Sequence, residues 1–373
     1  MSSSSSSTRS RSRVTWRSHT PSLRRLLHPL YRSLETSVHP LRYLFVEITQ
    51  RCNLACRHCG SDCTSATHPR ELSTDEWLAF FSYLGRHFDP RQLVLVVTGG
   101  EPLCAPAFES LQRGLRDNGL RWGMVTNGYA LSERRLQHAM AHGLVSVTIS
   151  LDGLAAAHDW LRGVVGSHER AVDAIGRVAQ SSLPFFDVVT CVNPRNLGEL
   201  DAIDALLTSL RVPAWRLFSI FPKGRAKDAG ELALSDAELA KLLAWIRARR
   251  ECANAHGPRV QFSCEGYVPP PLDAAIRDEP YFCRAGISIG SVLCDGAISA
   301  CPNITRALVQ GNIRNDDFKT VWDERFGALR DRSWMRRGAC ESCGDWRRCQ
   351  GNSLHLWDEE AQATGRCFRP QPG

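Results

Sequence analysis

"EITQRCNLACRHCGSDC", residues 47–63, places four cysteines within twelve positions, directly after an apolar run at residues 41–49. The run "LRYLFVEIT" is rich in aromatic and β-branched residues and reads as a buried strand. Cys52, Cys56, Cys59 and Cys63 therefore sit just past a strand's C-terminal end. Three chemistries suit such a cluster: a structural zinc ion, small buried thiols in a loop, or an iron–sulfur cluster held by three protein ligands. Zinc wants four ligands, for which Cys63 or His58 would have to join the other three.

Outward from this stretch, strands and helices alternate without interruption. "STDEWLAFFSYLGRHF" reads as a helix, with Ser73 or Thr74 as N-cap and Glu76 placed for a capping box. Five further strands follow, "QLVLVVTGG", "RWGMVTNG", "VSVTISLDG", "FFDVVTCVNP" and "AWRLFSIFP", with helical segments between them. Six strands at βαβ spacing require a parallel sheet with right-handed crossovers. The expected class is α/β, a partial (β/α)6 TIM-like barrel, because six units curl into three-quarters of a barrel rather than a closed one.

Parallel α/β folds bind ligands at the C-terminal ends of their strands. Every unusual motif here falls at such an end: the cysteines after strand one, "GGEP" from Gly99 after strand two, "TNG" from Thr126 after strand three. "SLDG" from Ser150 follows strand four and "NPRN" from Asn193 follows strand five. Gly, Asn and Asp punctuate loops for steric reasons, so one such motif carries little. Five on one rim mark a site.

The formal net charge of +7 is local. Residues 1–42 hold eight of the 46 basic residues and one of the 39 acidic ones, Glu35, so the remainder balances at 38 each. The Ser/Arg-rich start is similar in composition to an organellar transit peptide and lacks the apolar core of a secretory signal. Residues 1–40 are expected to be a disordered basic tail, with "RRLLHPLYRSL" able to form a short helix. That stretch is too short for a winged-helix precursor-recognition domain. No apolar run reaches the roughly 18 residues of a membrane helix, so a cytoplasmic protein without a membrane partner is expected. Fifteen cysteines in a chain of 373 residues without a secretory signal point to metal rather than disulfides.

The Cys52-x3-Cys56-x2-Cys59 spacing after the first strand, with "GGEP" after the second, resembles the radical S-adenosylmethionine (SAM) superfamily over residues 41–220. The resemblance implies a 4Fe–4S cluster on Cys52, Cys56 and Cys59 whose fourth iron chelates the methionine end of SAM. Reductive cleavage would then yield a 5′-deoxyadenosyl radical. By the same resemblance Gly99 and Gly100 admit close approach of backbone to the methionine moiety, and Glu101 offers a carboxylate to its ammonium. Ser150 and Asp152 face the ribose and methionine groups, Arg162 pairs with the SAM carboxylate or is solvated at a helix end, and His58 lies beside the adenine. Cys63, Cys104, Cys191, Cys252 and Cys264 are expected to be ordinary loop or core thiols.

The C-terminal order Cys283-x12-Gly296-x4-Cys301, Cys340-x2-Cys343-x5-Cys349 and Cys367 resembles the SPASM (or twitch) type of auxiliary iron–sulfur domain. It implies one auxiliary cluster on Cys340, Cys343, Cys349 and Cys367, for which a zinc ribbon is the alternative. A second auxiliary cluster would use Cys283 and Cys301, but Ser353 stands where the family has a further cysteine, so Cys294 is the expected recruit. The domains are then a tail at 1–40, a barrel at 41–225, a helical linker at 226–282 and an auxiliary domain at 283–373. SPASM enzymes mostly modify peptides, so the expected activity is radical SAM oxidation of a peptide or protein, fed by a low-potential donor such as flavodoxin or ferredoxin. A small-alcohol dehydrogenase and a sulfatase-maturing enzyme are the enzymatic alternatives. Against the latter, Pro302 and Asn303 follow Cys301 where that group has an Asp. A zinc-dependent nucleic-acid binder using the basic tail is the non-enzymatic alternative.

Overall fold

The computed structural model describes residues 23–66, 70–252, 256–263 and 266–369. Helix α1, Leu23–Val38, precedes strand β1, Tyr43–Glu47. Part of the stretch expected to be a disordered tail is thus helical, while residues 1–22 and Cys264 lie outside the described residues. The barrel then proceeds through α2 (Thr74–His87), β2 (Val94–Thr98), α3 (Phe108–Asp117), β3 (Arg121–Thr126), α4 (Glu133–Ala141) and β4 (Leu144–Ser150). After β4 come α5 (Ala155–Arg162), α6 (Ser167–Gln180), β5 (Phe185–Val192), α7 (Leu200–Ser209) and β6 (Ala214–Ser219). Ser73 caps α2 and Glu76 returns the bond to the Ser73 N–H, a complete capping box.

Strands β1 to β6 pair in sequence order and in parallel. Four strands not expected from the sequence extend the sheet. The region read as a helical linker holds helix α8, Asp236–Glu251, and strand β7, Arg259–Phe262, which pairs parallel to β6. At the other edge β8, Ile289–Val292, pairs parallel to β1 and carries the antiparallel strands β9 (Ala297–Ser299) and β10 (Gly311–Asn312). The auxiliary region therefore continues the barrel sheet. One core spans both parts, with Leu44, Trp122 and Trp215 of the barrel and Trp322 and Phe326 of the C-terminal region all sealed from solvent. Among the described residues no helix is long and apolar enough to cross a membrane.

Candidate active site

The loop after β1 is held shape-first by its neighbours. Gly100 N–H donates to the Thr49 carbonyl and Glu101 N–H to the Arg51 carbonyl, both at 2.8 Å. A Cβ at Gly99, where φ is +132°, would lie 2.2 Å from the Thr49 oxygen, and one at Gly100 would lie 2.3 Å from the Arg51 oxygen. The two glycines thus let the β2 end press against the cysteine loop. From the other side Arg225, beyond β6, donates to the carbonyls of Cys56 at 2.7 Å and Cys63 at 2.8 Å. Its own N–H bonds the Cys59 carbonyl. This clamp was missed in the sequence, although "PKGRA" follows the sixth strand as the other motifs follow theirs.

Each sulfur of the three-cysteine set meets an N–H donor. Arg162 Nη1 lies 3.6 Å from Cys56 Sγ, Asn127 Nδ2 lies 3.9 Å from Cys52 Sγ, and Cys63 N–H lies 3.4 Å from Cys59 Sγ. Each of these contacts would favour a thiolate or cluster-bound sulfur, against burial, which raises the Cys56 thiol despite Arg162. Hydrogen bonds from Cys63 hold Cys59 well below the usual thiol range, and the proton of that pair stays on Cys63. Burial pushes Cys52 up to about 11.

Glu101 is buried and engaged by the protein itself. Its carboxylate accepts from Thr126 Oγ1 at 2.7 Å, Asn127 N–H at 2.8 Å and Leu103 N–H at 3.2 Å. It ties β2 to the "TNG" turn, and one of its roughly four acceptor positions remains.

Asp152 organises the other half of the rim. Its Oδ2 accepts from Arg162 Nε at 2.6 Å and its Oδ1 from Cys191 N–H at 2.7 Å. Asn196 Nδ2 donates to its carbonyl at 2.8 Å, and its own N–H reaches His158 Nδ1 at 3.0 Å. Burial pushes the Asp152 carboxyl up, but Arg162, His58 and His158 outweigh it and the net shift is downward. Arg162 is buried, so it is not a solvated helix-end residue. Burial opposes its charge, while Asp152 and Cys56 raise its pKa overall. Ser150 is buried at the end of β4 beside this pair in sequence.

His58 Nε2 lies 3.9 Å from Asp152 Oδ2, and burial brings its pKa down to about 4. Its buried Nδ1 has no partner among the described residues. Leaving such a nitrogen unpaired costs about 1–3 kcal/mol, so it is a ready partner for a polar atom brought to it. His58, Asp152 and Cys191 bring ligand-type atoms within 4.8 Å of one another, and they form the one group that compact among the described residues. Cys191, expected to be an ordinary thiol, thus borders the rim. Neither Cys52, Cys56 and Cys59 nor the C-terminal cysteines draw together so tightly.

In the C-terminal region Cys340, Cys343, Cys349 and Cys367 face one another. Burial and, behind it, the Cys367, Cys340 and Cys343 thiols push Cys349 up to about 12, against a hydrogen bond from the Asn352 N–H. Arg369 Nη1 lies 3.3 Å from Cys343 Sγ. Cys283 is half-buried beside Arg332, whose guanidinium, with backbone hydrogen bonds from Leu354 and Ala285, outweighs desolvation and favours its thiolate. Tyr281, whose hydroxyl lies 3.0 Å from Ser353 Oγ, feels the Cys283 charge. Ser353 thus does stand next to Cys283. Cys294 has acidic groups around it. It lies in the turn between β8 and β9, where burial and then Glu47, Asp295 and Glu71 act most strongly on its thiol and push it to about 12. Cys301 leaves the opposite end of the same hairpin. The expected recruit thus feels Glu47 at the end of β1.

Comparison with known proteins accords with this geometry. Residues 46–207 match the radical SAM superfamily, and residues 283–349 match the SPASM iron-sulfur cluster-binding domain. The chain is 29% identical over 338 residues to the AdoMet-dependent heme synthase of Nitratidesulfovibrio vulgaris strain Hildenborough, covering 86% of this chain and 89% of that one. It is 30% identical over 342 residues to the mycofactocin maturase MftC of Mycolicibacterium smegmatis, covering 88% and 81%. The fold is similar to Streptococcus suis SuiB bound to S-adenosylmethionine, with a TM-score of 0.66 at 14% identity over 91% of this chain and 80% of that one. Membership of this group implies a SAM-binding 4Fe–4S cluster, SAM itself and auxiliary iron–sulfur clusters. With its strand-end rim and its thiol-rich C-terminal region, the chain belongs to the radical SAM superfamily, as an iron–sulfur enzyme of the SPASM type.

Proposed function

We propose that the enzyme matures a peptide or protein substrate, with Cys52, Cys56 and Cys59 holding the SAM-binding cluster and Cys340, Cys343, Cys349 and Cys367 a complete auxiliary one. The observation that carries this reading is the kinship to a named maturase over 88% of the chain, with a SPASM match at residues 283–349. When bound, the cluster and SAM supply the radical chemistry by reductive cleavage of SAM. The chain's own residues orient and shelter it. Arg162 and Asp152 fix the rim between β4 and β5, Glu101 ties β2 to β3, and His58 Nδ1 awaits a polar atom. The buried pair and the closed core below it keep water from this end of the sheet. A low-potential flavoprotein or ferredoxin is the proposed electron source.

A second reading has its own support: the heme synthase kinship is equally long, which makes a tetrapyrrole the alternative substrate. Anaerobically reconstituted enzyme with reductant and SAM should release 5′-deoxyadenosine. Replacing Cys52, Cys56 and Cys59 by Ala should abolish that release while leaving a folded protein that still contains iron. Mass spectrometry then decides the substrate: a mass change in a short peptide encoded beside the gene supports maturation. A change in a haem-precursor tetrapyrrole, with the peptide untouched, overturns it.

A further inference from the structure

Helix α1 is inside out. Seven of the ten large hydrophobic side chains that the described residues expose lie on it: Leu23, Leu26, Leu27, Leu30, Tyr31, Leu34 and Val38, each 45–70% exposed. At 100° per residue they occupy one arc of about 140°. The polar face is the one that packs on the protein. Arg25 donates to the Arg277 carbonyl at 2.9 Å and pairs with Asp273 at 3.4 Å. His28 and Arg32 rest on Phe282, at 6.1 Å between ring centroids and 5.0 Å from the guanidinium. Glu35 accepts from Ser288 Oγ at 2.5 Å and pairs with Arg284 at 3.3 Å. A helix on the surface of a globular protein normally turns its apolar stripe inward. An exposed stripe of this size marks an interaction site.

We infer that α1 lies in the interface of an anionic phospholipid membrane, leucines down. The charge pattern selects this occupant. Seven arginines, Arg9, Arg11, Arg13, Arg17, Arg24, Arg25 and Arg32, precede the first acidic residue of the chain, Glu35. Such a basic run leading into an apolar helix face suits an anionic leaflet, where each Lys or Arg near the surface adds about 1 kcal/mol. Pairing α1 with a second copy would bring two such arginine sets together. It would also bury a strip only about 24 Å long and about 10 Å wide, roughly 500 Å² over both partners, short of the roughly 1,200 Å² that a stable specific interface needs. The arc offers a protein partner little to read. Its two hydroxyls are already used, Tyr31 toward Glu35 and Ser37 to the Leu34 carbonyl at 3.0 Å. The absence of a spanning helix is no objection, because a helix lying in the interface needs neither the length nor the uniform apolarity of a span. The expectation that the protein has no membrane partner is revised accordingly, to one of contact without crossing.

The test is co-sedimentation of the full chain, clusters loaded, with lipid vesicles. Mixed phosphatidylglycerol and phosphatidylcholine vesicles should bind it at least about tenfold more tightly than phosphatidylcholine alone, and high salt should weaken the binding. Leu26→Ser, Leu30→Ser and Leu34→Ser together should remove the binding at unchanged iron content and circular dichroism. Arg9, Arg11, Arg13 and Arg17 to Ser should weaken it and flatten its salt dependence. No vesicle binding by the wild-type chain overturns the proposal. So does a wild-type dimer that the leucine variant turns into a monomer while vesicles stay unbound, or binding that the leucine variant retains in full.

Discussion

Arg162 Nε donates to Asp152 Oδ2 at 2.6 Å, and both side chains are sealed from solvent at the end of β4. Buried pairs of this kind are costly to break because one partner is left charged without compensation. Arg162→Gln should lower the free energy of unfolding by about 3–5 kcal/mol, and Asp152→Asn by a similar amount. The double variant should lose less than the two added together, since it leaves no lone charge. Urea unfolding of the four proteins closes the cycle. Additive losses would show that the pair does not act as a unit.

Gly99 and Gly100 are expected to tolerate nothing larger. Gly99→Ala would combine a φ of +132° with a Cβ 2.2 Å from the Thr49 carbonyl oxygen. Strain of that kind costs about 1–3 kcal/mol before the clash is counted. The variant should melt at lower temperature and retain less iron after reconstitution, because the displaced backbone is that of the cysteine loop. Ala at Gly198, which has open space around it, is the control and should change neither.

Glu76 anchors α2 to the C-terminal region through Arg314, with Nε 2.6 Å from Oε1. The hydrogen bond from Arg314, with help from the Ser73 cap, holds the Glu76 carboxyl down to about 2. A depressed acid stabilises the fold above its ordinary value of about 4.3 and loses that contribution as pH falls toward about 2. Glu76→Gln keeps the cap and removes the charge. The pair is more than a third exposed, so the wild type should lead the variant by only about 1 kcal/mol near neutrality. Unfolding of the apoprotein at a series of pH values should show that lead shrinking below pH 4.

Iron counting will separate the C-terminal thiols. Cys349→Ala should remove up to about four irons, the content of one 4Fe–4S cluster. Cys283→Ala should lower iron further if a second auxiliary cluster forms beside Arg332 and Ser353. Cys294→Ala should leave the count unchanged, because that thiol faces Glu47 and Asp295. A loss of iron in the Cys294 variant would restore it to the ligand set.

The barrel was legible because its strands are apolar runs at regular spacing, and because the rim motifs fall where a parallel sheet gathers them. The Ser73–Glu76 cap was legible for the same local reason. Strands β7 and β8 were not: "RVQF" and "IGSV" are four residues each, too short for periodicity, and they are strands only because β6 and β1 offer them edges. Helix α1 shows amphipathic spacing in the sequence, but spacing does not say which face turns inward. That was settled by Arg25, Arg32 and Glu35 finding partners roughly 250 residues or more away along the chain. Glu101 stood out as a polar residue at a strand end, whereas its bond to the "TNG" turn depends on the register of β2 and β3.

Because β8 is hydrogen-bonded to β1, the two parts of this enzyme are not separable modules. A fragment cut after the sixth strand would keep the strand-end motifs but lose the Arg225 clamp, and it would bare one side of β1 as an unpaired edge. Exposed edges of that kind recruit other chains. Shuffling the auxiliary region between enzymes would meet the same obstacle, since any replacement has to supply a strand in register with Tyr43–Glu47 before it can supply a cluster.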